Sequence, residues 1–137
     1  MGEMSTEIRD DEVVSLLEGV NTLRDSSLIA ISIVGVFGRP DISMEFDARE
    51  GSDFSKVKLK FTEVVSFEFS CGEGEAFLDV WDLKFIKLRD GSFYITLDPD
   101  PSTLGAAGVT DLDASDTDGF FVRAKHVEAV ATEIEGF

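Results

Sequence analysis

From Lys56 to Ser70 the chain reads KVKLKFTEVVSFEFS. Val57, Leu59, Phe61, Val65, Phe67 and Phe69 hold alternate positions, with Lys56, Lys58, Lys60, Thr62, Ser66, Glu68 and Ser70 between them. A period of two belongs to a strand, whose successive side chains point to opposite faces. One apolar and one polar face predict a strand with its back on a core and its front in water. Val57 to Phe69 would extend about 43 Å at ~3.3 Å per residue, longer than a usual strand. The alternation breaks at Glu63 and Val64, which predicts a corner near Thr62–Val64. A tight hairpin is not expected there, because no Gly, Asn or Asp supplies the positive φ it needs.

The remaining pattern predicts elements that cover this apolar row. Residues 1–9 are polar and expected to fray. A short helix is expected over about Asp10–Glu18, with Asp10 or Asp11 as cap and Gly19 at its end. Its face would carry Val13, Leu16, Leu17 and Val20. Leu28–Phe37 reads as a strand apolar on both faces and therefore central and covered. Gly38-Arg39-Pro40-Asp41 is a turn cluster. Ile42–Ala48 alternates, with Ile42, Met44 and Phe46 inward. Pairing it antiparallel with Lys56–Phe61 sets Asp47, Glu45 and Ser43 opposite Lys56, Lys58 and Lys60. The same register sets Phe46, Met44 and Ile42 opposite Val57, Leu59 and Phe61. Both faces are then complementary, and the lysines gain a structural role, including protection against unwanted edge pairing.

Further on, Trp81–Arg89 reads as a strand with a bulge near Phe85–Ile86. Asp90-Gly91 is a hairpin turn, and Ser92–Leu97 is the return strand. The second half of the long strand is expected to turn toward this hairpin. Asp98–Gly119 holds six aspartates, two prolines and no Lys or Arg, which predicts a long loop. Phe120–Lys125 returns to strand character. Beyond it the pattern is ambiguous: Val127, Val130, Ala131 and Ile134 suit a helix, while Val122, Ala124, His126, Glu128 and Val130 suit a strand. Strands that follow one another without intervening helices predict one mainly-β domain over residues 10–137, an antiparallel sheet, a two-sheet sandwich or a part-barrel.

Composition narrows the function. The chain has 137 residues, 28 acids against 12 Lys and Arg, and a formal net charge of −16. This charge repels nucleic acid and anionic membranes and favours basic protein partners. No signal peptide or membrane-spanning run is visible, so a cytoplasmic protein is expected. A lone cysteine, Cys71, excludes an internal disulfide and a thiolate zinc cage. The single histidine, His126, stands among apolar residues without a nucleophile motif, and Cys71 has no neighbour to lower its pKa. Asp111–Gly119 fails the EF-hand pattern, with Asp116 in place of the required Gly and Val122 in place of the final Glu. No phosphate loop or dinucleotide fingerprint is present. The expectation is a domain with no enzymatic activity, no cofactor and no metal site.

Several segments together resemble small bacterial immunity-type proteins associated with polymorphic toxin systems. They are Leu23-Arg24-Asp25-Ser26-Ser27-Leu28 with the Ile29/Ile31/Ile33 strand, Val57-x-Leu59-x-Phe61-x-x-Val64-x-x-Phe67, Asp90-Gly91-Ser92-Phe93-Tyr94, and Phe121-Val122-Arg123-Ala124-Lys125. The resemblance spans about residues 21–130 and implies an antiparallel β domain, no enzyme activity and a protein partner. It assigns no site residues. The charge offers Asp98, Asp100, Asp111, Asp113, Asp116 and Asp118 as contacts for a basic protein such as a cationic toxin. The alternatives are a small-ligand or calcium-binding β domain, and a module that self-assembles through a strand edge.

Overall fold

A computed structural model of the chain describes residues 5–36, 38–69, 79–80, 83–97 and 120–133. Its elements are β1 (Ser5–Arg9), α1 (Asp11–Leu16), a 3-10 turn (Gly19–Asn21), β2 (Ser27–Val36), β3 (Arg39–Asp47), β4 (Phe54–Phe69), β5 (Lys84–Lys87), β6 (Phe93–Thr96) and β7 (Phe120–Glu133). The strands form one antiparallel sheet in the order β2-β3-β4-β7-β6-β5, and β1 also pairs with β7. The sheet is open and not closed into a barrel.

The expected β3–β4 register is present at every position, from Asp47↔Lys56 to Ile42↔Phe61. β7 extends each of these rungs. On the covered face they read Phe46–Val57–Ala131, Met44–Leu59–Ala129 and Ile42–Phe61–Val127. All nine side chains are buried. Burying a large apolar side chain contributes roughly 1.5–3 kcal/mol, so these rungs are the centre of the core. Val13 and Leu17 from the helical segment join the same cluster.

The corner expected near Thr62–Val64 is a coordinated shift in two strands. In β4 the buried positions pass from Val57, Leu59 and Phe61 to Val64. In β7 they pass from Phe120, Val122 and Ala124 to Val127, Ala129 and Ala131. Phe61 faces Val127 and Val64 faces Ala124, so two residues separate the buried rungs on each strand. Glu63 takes φ 52°, outside the ordinary strand region. A further register shift follows between Val64 and Ser66.

Several expectations are corrected. Ser5–Arg9 does not fray but pairs with Arg9↔Glu128 through Ser5↔Thr132 of β7. The helix is shorter than expected, and Val20, placed on its buried face, is 61% exposed. Asp10 makes no side-chain cap. Among the described residues β2 is not a central covered strand: it stands last in the strand order, and Ile33 and Val34 are 49% and 54% exposed. Its apolar composition misled because topology, not composition, decides which strand lies outermost. Arg39, Pro40 and Asp41 belong to β3, so the β2–β3 connection is tighter than the expected turn. No bulge interrupts β5, whose pairing runs unbroken from Lys84↔Thr96 to Lys87↔Phe93. The second half of β4 does not meet the β5–β6 hairpin, because β7 lies between them. The lysines of β4 sit on an interior strand and guard no edge.

Glu63 gives a direct test of the corner. Glu63→Ala and Glu63→Gly remove the same carboxylate and differ in tolerance of positive φ. The strain on alanine is about 1–2 kcal/mol, partly offset by the ~0.5–1 kcal/mol of extra freedom glycine loses on folding. Urea denaturation should show Glu63→Gly more stable than Glu63→Ala; the reverse order would contradict the backbone geometry.

Candidate functional site

β7 receives β4 along one edge, while its other edge is shared by β6 at Phe121–Ala124 and β1 at Glu128–Thr132. Asp10 stands in the gap between these two strands. Its backbone N–H donates to the Val127 carbonyl at 2.7 Å, and its Oδ1 accepts from the Val127 N–H at 3.1 Å. Val127 is fully buried, so these bonds supply partners that a continuous strand would otherwise give. Asp10 adopts φ 52° to make both contacts. Its own carbonyl accepts from Val13 and Val14 at 2.9 and 3.4 Å, starting α1. One residue thus completes a sheet ladder and begins a helix.

The same residue holds the only histidine. His126 Nδ1 lies 3.3 Å from Asp10 Oδ2, and its Nε2 lies 3.1 Å from Glu63 Oε2. The imidazole therefore ties the start of α1 to the corner of β4, and all three side chains are part-exposed. An ionised carboxylate only accepts hydrogen bonds, so the ring is the donor in whichever of the two contacts carries an N–H. Among the described residues no group of three or more His, Cys, Asp or Glu side chains is arranged to hold a metal ion. The clasp's evident work is mechanical, joining three elements.

A second cluster fixes the β5–β6 hairpin to β7. Asp90 Oδ1 accepts from the Ser92 hydroxyl at 2.6 Å and the Ser92 N–H at 2.9 Å. Arg123 pairs with Asp90 Oδ2 and donates from Nε to Ser92 Oγ at 3.1 Å. Gly91 at φ 89° allows the turn. The Ser92 hydroxyl, the Ser92 N–H and then Arg123 hold the Asp90 pKa down from 3.8 to about 2. On the helix side, Lys87 reaches Asp11 at 3.2 Å.

The uncovered face of the sheet holds a shallow recess of about 240 Å³, lined by Ile29, Glu45, Lys56, Lys58, Val130 and Thr132 among others. The register places Glu45 opposite Lys58, but among the described residues Lys56, Lys58 and Lys60 close no ion pair. Glu128, opposite Lys60, instead meets Arg9 at 3.5 Å. The complementary register is thus present without closed lysine salt bridges.

Of the residues singled out from sequence, Asp98, Asp100, Asp111, Asp113, Asp116, Asp118 and Cys71 lie outside the described residues. His126 lies in the clasp. The contributions of Asp10 and Glu63 were missed; the only signal was the interrupted alternation at Glu63. Among the described residues no helix is long and apolar enough to cross a membrane. The chain matches no family model, no curated protein and no solved structure in the comparisons made.

Two measurements check these clusters. Asp10→Ala leaves the buried Val127 N–H unsatisfied and should cost about 1–3 kcal/mol in urea denaturation. Asp10→Asn keeps an accepting oxygen and should recover most of that loss; equal losses would refute the assignment. For Asp90, the folded pKa lies below the unfolded one, so its stabilising contribution is present above pH 3.8 and is lost as pH falls toward about 2. NMR titration should place the Asp90 carboxyl midpoint near 2 and show it rising in Arg123→Ala. A folded midpoint of 3.8 would mean that the Ser92 and Arg123 contacts do not form in solution.

Proposed function

We propose that the chain is a non-enzymatic, acidic protein-binding domain whose partner is basic, in the manner of an immunity protein that neutralises a cationic toxin. One observation carries this reading: the negative charge cannot be compensated within the fold. Even with every Lys and Arg paired to its own acid, the formal balance leaves 16 carboxylates in excess. The closed pairs Arg9–Glu128, Lys87–Asp11 and Arg123–Asp90 use cations for internal fastening and leave that excess in place. A basic partner supplies the missing charge, and the attraction speeds encounter more than it tightens the complex. The aspartates at 98, 100, 111, 113, 116 and 118 are the proposed contacts.

Calorimetry against a panel of purified cationic bacterial nuclease toxins tests this reading. Binding to at least one should weaken between about 50 mM and about 300 mM salt as charges are screened. Changing the six aspartates together to asparagine should weaken it and flatten that salt dependence. Binding that is unchanged in the variant, or absent across the panel, counts against the proposal.

A further inference from the structure

We propose that His126 is a proton-operated clasp: with both ring nitrogens protonated it locks the corner of β4 to the start of α1, and loss of one proton releases Glu63. The inference concerns groups separate from the proposed aspartate contacts and stands independently of the basic-partner reading.

The ring lies between two carboxylates. Nδ1 is 3.3 Å from Asp10 Oδ2, and Nε2 is 3.1 Å from Glu63 Oε2. An ionised carboxylate offers only lone pairs, and a neutral imidazole carries a single N–H. The neutral ring therefore satisfies one contact and turns a bare nitrogen toward the other oxygen. The imidazolium donates to both. Two hydrogen bonds and an opposing charge exist together only in the protonated state. Among the described residues neither Asp10 nor Glu63 meets a lysine or arginine, so no fixed cation takes the place of the imidazolium. The charged groups of the adjoining elements are engaged elsewhere or stand apart. Arg9 pairs with Glu128, Lys87 with Asp11 and Arg123 with Asp90. Lys60 stands opposite Glu128 in the register. Glu12 and Lys125 are exposed and, among the described residues, form no ion pair.

The two carboxylates differ in what else holds them. Asp10 Oδ1 accepts from the Val127 N–H at 3.1 Å, and the Asp10 N–H donates to the Val127 carbonyl at 2.7 Å. The Glu63 carboxylate, among the described residues, has the ring as its one partner. When the ring loses a proton, Glu63 is the group free to swing into water, and Asp10 keeps the remaining N–H on Nδ1. The corner of β4, where Glu63 takes φ 52°, then loses its side-chain tie to the start of α1. The His126 side chain is 45% exposed, so bulk pH sets its protonation. Histidine is the side chain whose ordinary charge change falls between about pH 5 and 8, and this chain has one. The clasp therefore responds over a range in which ordinary carboxylates and lysines keep their charge. Its contribution to stability is present at low pH and is lost as pH rises.

Proton–nitrogen correlation NMR of the His126 ring in the wild-type chain reads the clasp directly. At about pH 5.5 both ring nitrogens should carry protons, and at about pH 8 the remaining proton should sit on Nδ1. The Val127 amide, held by Asp10, should keep its hydrogen-exchange protection factor in both states. Glu63→Gln supplies the second arm. It keeps the side-chain length and pairs with either form of the ring, because an amide both accepts and donates. Urea denaturation at about pH 5.5 and about pH 8 should show the folded-to-unfolded ratio of the wild type falling roughly two- to fivefold more than that of Glu63→Gln, the size of one exposed ion pair. A proton on Nε2 at the higher pH, loss of Val127 protection there, or the same pH dependence in wild type and Glu63→Gln would overturn the proposal. Failure of basic-partner binding with the clasp intact would count only against the earlier reading.

Discussion

The pairing of β4 with β7 sets the condition that the rest of the sheet obeys. Side chains alternate across a strand, so an extra residue in one strand turns everything beyond it inside out unless its partner shifts too. Here both strands shift between the same two rungs, Phe61↔Val127 and Val64↔Ala124. The covered face therefore stays apolar from one end of β7 to the other. Without the shift, strict alternation would bring Glu63 and Lys125 to the core. The strain at Glu63, with φ 52°, is the local cost of that solution.

The break in β7 also explains how its far edge is used. β6 ends beside it on one side of the shift and β1 begins on the other, leaving a short gap. Asp10 closes that gap through backbone and side chain, and His126 couples Asp10 to Glu63. Two strained acids and one histidine are thus consequences of one irregularity in the central pair. The apolar Phe46–Val57–Ala131 rung and its two neighbours provide the burial against which that strain is held.

Much of this was legible in the sequence. The β3–β4 register could be read because the two strands are neighbours in the chain and both faces match: lysines against acids, large apolar residues against one another. The corner could be read because Glu63 interrupts an otherwise regular row. β7 could not be followed past Lys125, because alternation through His126 and Val130 competes with the true buried set Val127, Ala129 and Ala131. Its resolution lies in β4, some 65 positions earlier in the chain. Asp10 read as a helix cap because its real partner, Val127, is 117 positions away. The edge position of β2 was invisible, since an apolar strand reads alike in the middle of a sheet and at its rim. For the proposed aspartate contacts the sequence offered charge and spacing, which describe attraction but not shape.

β4–β7 is expected to be the most protected part of the molecule, with the β5–β6 hairpin dependent on it. Native-state amide hydrogen exchange tests this most directly. Amides of Val57–Phe61 and Val127–Ala131 should exchange last, through global unfolding, while those of β5 should exchange sooner through local opening. If β5 and β6 proved the slower unit, or if β4 and β7 exchanged at different rates from each other, the central pair would not be the constraint on which the fold depends.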